Sequence, residues 1–111
     1  MRLMRAHVLV VLVAILVAAT AAAALAATKS VGVRKSGSKY LFTPSALRID
    51  RGDTVRWSWS GSVAHNVKGP GFQSRTAPRL TFSRRFTRRG TYPVVCTVHA
   101  ALGQRMSIIV R

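Results

Sequence analysis

Cys96 and His99 are the residues of this chain whose types and spacing can do chemistry. Cys96 is the only cysteine, and His99 follows three positions later in Cys96-Thr97-Val98-His99. A thiolate and an imidazole so close together can hold a soft metal ion. They need a third donor, and His65 is available about thirty residues upstream, in Val63-Ala64-His65-Asn66-Val67. Each residue also has a plainer reading. A free cysteine is most often a small buried hydrophobe, and a single histidine after a loop is most often a surface or satisfied core residue. Cys-x-x-His alone is a weak signal, so its surroundings decide.

Strands must position these residues. Thr54-Val55-Arg56-Trp57-Ser58-Trp59 is the clearest strand, with Val55, Trp57 and Trp59 on one face. Both tryptophans read as core. Ser60-Gly61-Ser62 reads as a loop leading to His65. Val31 and Val33 alternate with Gly32 and Arg34 in a first strand, and Ser36-Gly37-Ser38 is a turn. Tyr40-Leu41-Phe42 and Ala46-Leu47-Arg48-Ile49 are further strands on either side of Pro44. Asp50 and Asp53 surround Gly52 in a turn that they are expected to organise.

Lys68 to Pro78 has the composition of an irregular crossover, with a short helix or a strand both open. Leu80 to Phe86 returns to strand. Thr91 to Cys96 follows, and Pro93 marks an edge position or a break in pairing. Met106, Ile108 and Val110 alternate in a closing strand. Short strands with frequent turns and no convincing helical period predict an all-β, Greek-key β-sandwich.

The first 26 residues stand apart. Arg2 and Arg5 make a basic head, the run from Val8 to Ala27 is apolar except for Thr20, and Ala24-Leu25-Ala26 offers an A-x-A cleavage site. Residues 1–26 therefore read as a secretory signal peptide cut after Ala26, with an uncleaved anchor as the rival. No cysteine lies near the cut, which excludes a lipoprotein anchor. The mature domain, residues 27–111, is expected outside the cytoplasm: periplasmic, extracellular or held at the cell envelope. A lone cysteine there has no intrachain disulfide partner, which leaves burial, reactivity or a metal.

With 18 Lys+Arg against 2 Asp+Glu, the net charge is +16, and removing Arg2 and Arg5 lowers it to +14. Two carboxylates leave little for paired acid/base catalysis. Such charge favours acidic proteins, anionic lipid head groups or polyanions, and its pull weakens with salt. A basic surface that only secures solubility is the plainer alternative. Nucleic acid is not expected as the partner of an exported protein.

Taken in order, Gly52-Asp53-Thr54-Val55-Arg56-Trp57, His65-Asn66-Val67, Gly90-Thr91-Tyr92 and Cys96-Thr97-x-His99-x-Ala101-x-Gly103 resemble the cupredoxins, the small blue copper proteins. The likeness is greatest to the plastocyanin and pseudoazurin branch and runs from about Phe42 to Val110. The resemblance implies one type 1 copper ion held by His65, Cys96 and His99, with Asn66 fixing the loop through hydrogen bonds to backbone near Cys96. It also implies that the His99 ring edge is exposed in an apolar patch that Ala100, Ala101 and Leu102 help to build, where electrons pass.

The axial position departs from these relatives. Gln104 stands where they carry methionine, an arrangement that resembles stellacyanins. Met106 falls in register with Ile108 and Val110, a core position, and a three-coordinate site with Leu102 near the axial side is also open. An amide oxygen is a harder donor than a thioether and favours Cu(II).

The resemblance implies a monomeric, non-enzymatic carrier that passes single electrons between redox proteins by Cu(II)/Cu(I) cycling. Its basic surface would dock acidic partners. The alternative is a copper-binding protein for delivery, storage or sensing, although no methionine- or histidine-rich tract marks that class. A metal-free sandwich that binds a polyanion is the third reading. A multicopper oxidase needs more than three histidines, one of which, His7, is in the leader.

Overall fold

The computed structural model describes residues 25–111. The expected leader lies outside them except for Leu25 and Ala26. The strands are β1 (Thr28–Ser36), β2 (Lys39–Thr43), β3 (Ala46–Ile49), β4 (Thr54–His65), β5 (Lys68–Gly69), β6 (Phe72–Gln73), β7 (Ala77–Arg85), β8 (Gly90–Val95) and β9 (Arg105–Val110). They form two sheets, ordered β2-β1-β4-β7 and β3-β9-β8-β5-β6. β1 with β4 and β3 with β9 run parallel, and the other pairs are antiparallel. The chain crosses repeatedly between the sheets, giving the all-β Greek-key sandwich that the strand pattern predicted.

Alternation explains the core. Val55, Trp57 and Trp59 of β4 face inward while Arg56, Ser58 and Ser60 face out. Val31 and Val33 of β1, Phe42 of β2 and Met106, Ile108 and Val110 of β9 meet them. Trp57 is fully buried, with Phe72, Phe82 and Phe86 ring centroids at 6.0, 5.9 and 6.5 Å. A buried tryptophan of this kind contributes about 4–6 kcal/mol as an upper estimate. Its indole N–H donates to the Met106 sulfur at 3.2 Å, so Met106 is a core residue with its lone pair engaged.

One expectation needs correction. Ser60-Gly61-Ser62 is part of β4, not a loop, and the strand runs on to His65. The pairing with β7 slips between Ser60 and His65, so a bulge absorbs the residues that the composition marked as a loop. Of the two forms left open for the crossover after His65, the strand is the one found. The crossover forms the small β5–β6 hairpin, turned at Gly71 with φ +80°, and β7 begins already at Ala77.

Other local features match the sequence. Pro93 pairs through β9, while β5 meets β8 only at Val95, so its missing donor faces the unpaired side. The Asp50–Asp53 turn is closed by Asp53 N–H to Asp50 carbonyl at 3.0 Å and Asp50 N–H to Asp53 Oδ2 at 3.0 Å.

Candidate metal centre

β4 delivers His65 at its end, and β8 delivers Cys96 just past its own. β8 and β9 are antiparallel neighbours, so the residues between them form one loop at one end of the sandwich. Cys96 N–H bonds the Gln104 carbonyl at 3.1 Å and closes the base of that loop. Within it His99 N–H reaches the Cys96 carbonyl at 3.2 Å, and a 3-10 turn follows over Ala100–Leu102. The turn ends at Gly103, whose φ of +83° is the left-handed conformation that favours glycine. From there Gln104 points back inward, fully buried.

His65, Cys96 and His99 are all buried, and their donor atoms lie within 4.8 Å of one another. Cys96 Sγ is 3.6 Å from His99 Nδ1 and 3.9 Å from His65 Nδ1. Gln104 Oε1 lies 3.0 Å from both Nδ1 atoms. The amide is held the right way round: its Nε2 donates to the Leu41 carbonyl at 3.1 Å and the Arg34 carbonyl at 3.4 Å. The oxygen is therefore the end that faces the imidazoles. An amide oxygen only accepts, so a ring whose Nδ1 carries its proton donates that N–H to Gln104. With any such proton gone, two imidazole nitrogens, a sulfur and an amide oxygen all face one small space. A soft thiolate and two intermediate imidazoles with one harder amide oxygen fit copper.

Burial holds the His65 imidazole below its usual pKa, the hydrogen bond to Gln104 opposes this, and nearby His99 adds to the lowering. Metal binding needs the neutral ring, and burial favours it.

Asn66 joins the two ligand-bearing segments. Its Oδ1 accepts the Thr97 N–H at 2.7 Å, as the sequence implied. Its Nδ2 donates to Thr97 Oγ1 at 2.7 Å and Thr76 Oγ1 at 3.1 Å, which the sequence did not reveal. Trp59 stands edge-on to His65, centroids 6.4 Å apart, so it forms a wall of the site as well as core.

His99 is less open than expected: the residue as a whole is 7% exposed, and Tyr40 of β2 stacks on its ring with centroids 3.8 Å apart and planes within 14°. Of the residues expected to build an apolar patch, Ala101 and Leu102 are exposed and Ala100 is half-buried, and Val98 and Leu41 are further exposed apolar side chains. Sequence reasoning missed Tyr40. The available signal was its parity with Phe42 in β2, which places both side chains on the inner face.

A Greek-key sandwich with a cysteine, two histidines and a glutamine amide gathered at the β8–β9 end has the architecture of a small copper protein. The sequence matches the family of copper binding proteins described as plastocyanin/azurin over residues 28–111, and the chain belongs to that family. It is 37% identical over 79 residues to a halocyanin from Natronomonas pharaonis, covering 64% of this chain and 48% of that one. It is 34% identical over 70 residues to amicyanin-alpha from Methylorubrum extorquens, covering 56% and 59%. The matches thus span about half of the halocyanin and under two thirds of the amicyanin. Among solved structures, pseudoazurin from Methylobacterium extorquens superposes with a TM-score of 0.63 at 20% identity, covering 75% of this chain and 74% of that one, a likeness of fold.

Proposed function

We propose that the mature chain is an exported type 1 copper protein that carries single electrons between redox partners, with His65, Cys96 and His99 as ligands and Gln104 as the axial donor. The observation that supports this most is the convergence of Gln104 Oε1 on both imidazole nitrogens beside the Cys96 sulfur. A similar chain, an amicyanin variant 25% identical with a TM-score of 0.63, was solved in its reduced Cu(I) form. Copper supplies a one-electron couple that needs no bond making in the substrate.

The chain's own residues supply the rest. Buried donors anchored to β4, β8 and β9 resist rearrangement, so little has to move when charge changes. Asn66 ties the His65 end of β4 to the Cys96 loop. Tyr40, stacked on His99, shields it from water, and the exposed Leu41, Val98 and Leu102 offer apolar contact. The basic surface attracts acidic partner proteins in a weak, fast encounter, and it also suits an anionic membrane surface.

Voltammetry of the copper-loaded protein tests this reading. The expected result is a reversible one-electron wave, with electron transfer to an acidic redox protein that slows as salt rises. Copper that binds tightly but cycles irreversibly would move the function to copper delivery, storage or sensing.

A further inference from the structure

Asp53 is one of only two acidic side chains in the chain, and it is buried, 5% exposed. With 18 Lys+Arg available, one of these side chains would be the ordinary partner for a buried carboxylate. Among the described residues it bonds main-chain nitrogens instead: Oδ2 accepts Asp50 N–H at 3.0 Å, and Oδ1 accepts Ala27 N–H at 2.9 Å. Ala27 is also where the fold begins. Its carbonyl accepts Thr54 N–H at 2.9 Å, and β1 then pairs with β4 from Thr28↔Thr54 onward. Leu25, just before it, is 92% exposed. The A-x-A site of the leader ends at Ala26, so the nitrogen that Asp53 holds is the one that cleavage would free.

We propose that Asp53 is the receptor for the mature N-terminus: a leader peptidase cuts between Ala26 and Ala27, and the new α-ammonium of Ala27 forms an ion pair with the Asp53 carboxylate. Hydrolysis uses one water. The Ala26 carbonyl carbon takes its oxygen and leaves as a carboxylate, while the Ala27 nitrogen keeps its bonding pair and takes up protons. An α-amine has an ordinary pKa of about 8 and is charged at neutral pH. The neutral hydrogen bond of the precursor thereby becomes a charge-assisted one, in a position already fixed by Thr54. Lys29, Arg48, Asp50 and Arg111 line the same hollow. Three of these four are cations that would repel the ammonium, and of the two carboxylates Asp53 is the one bonded to the Ala27 nitrogen.

The inference rests on the exported reading for the cut, while the charge capture is measured separately. Full-length protein is produced with its leader, the exported product is weighed intact, and its α-amine is titrated by the pH dependence of selective amine labelling. The expected product begins at Ala27. Its α-amine is expected to titrate above that of the same protein unfolded in urea, and Asp53→Asn should remove about one pKa unit, tenfold in acidity. The comparison with the urea-unfolded chain needs no variant, so it decides even if Asp53→Asn fails to fold. A product starting elsewhere, or one retaining Met1, overturns both the cut and the capture. A product that starts at Ala27 with an α-amine titrating alike folded and unfolded overturns the capture alone.

Discussion

The Tyr40 ring lies parallel to the His99 imidazole, with centroids 3.8 Å apart and planes within 14°. Tyr40 also meets His65 edge-on at 6.4 Å, so one β2 side chain covers both histidines. A copper–thiolate site carries more positive charge when oxidised, and exclusion of water favours the less charged, reduced form. Tyr40→Ala opens this cover and is expected to lower the reduction potential by something on the order of 50 mV, given that 59 mV is tenfold for one electron. Tyr40→Phe keeps the stack and should leave the potential close to that of the parent. Spectroelectrochemistry of the three proteins checks this.

Gln104 has two tasks that one substitution separates. Gln104→Met replaces a hard amide oxygen with a soft thioether, which should raise the potential and shift the visible spectrum. In metal-free protein the same change leaves an Nδ1–H of His65 or His99 without its acceptor. Leaving a buried polar group unpaired costs about 1–3 kcal/mol. Thermal melts should therefore show a loss in the metal-free protein that copper largely restores.

Met106 gives the opposite pattern. Its sulfur is bonded to the Trp57 indole inside the core, so Met106→Leu should leave the copper spectrum unchanged. Loss of the Trp57 acceptor is expected to cost about 1–3 kcal/mol in a urea melt. A changed spectrum with unchanged stability would make Met106 the axial donor in place of Gln104.

Asn66→Ala removes the acceptor for Thr97 N–H and the donor to the Thr76 and Thr97 hydroxyls. Asn66 is buried, so a loss of about 2–3 kcal/mol is expected, within the range for an orphaned buried network. Copper should also leave the site faster, since His65 and Cys96 are no longer tied. Stability from denaturant melts and copper loss to a chelator measure the two effects.

Acid should weaken the Asp50–Asp53 turn. The Ala27 N–H, and after it the Asp50 N–H, hold the Asp53 carboxyl below its usual pKa. A group with a depressed folded-state pKa adds stability above its unfolded pKa and loses it as pH falls through the folded value. The melting temperature of Asp53→Asn should therefore depend less on pH below about pH 4 than that of the parent.

Much of this was legible in the sequence because local rules were enough. β4 and β9 declare themselves by alternation, and the motifs around His65, Cys96 and His99, through their resemblance to the cupredoxins, imply that three donors come together. Other parts depended on contacts that spacing does not carry. The hydroxyls and glycine of Ser60-Gly61-Ser62 read as a loop, yet pairing with β7 draws them into a bulged strand. The exposure of the His99 ring edge was implied by the resemblance alone, and the residue that stacks on the ring lies far away in β2. The orientation of Gln104 is set by the Arg34 and Leu41 carbonyls, 70 and 63 residues distant.

The measurement that bears most directly on the central claim is the visible absorption spectrum of the protein titrated with Cu(II). The account predicts an intense band in the red that saturates at one equivalent, from charge transfer between the Cys96 thiolate and copper, and that is absent in Cys96→Ser. A protein that stays colourless with a full equivalent of Cu(II), or a band that survives loss of the thiol, would contradict it.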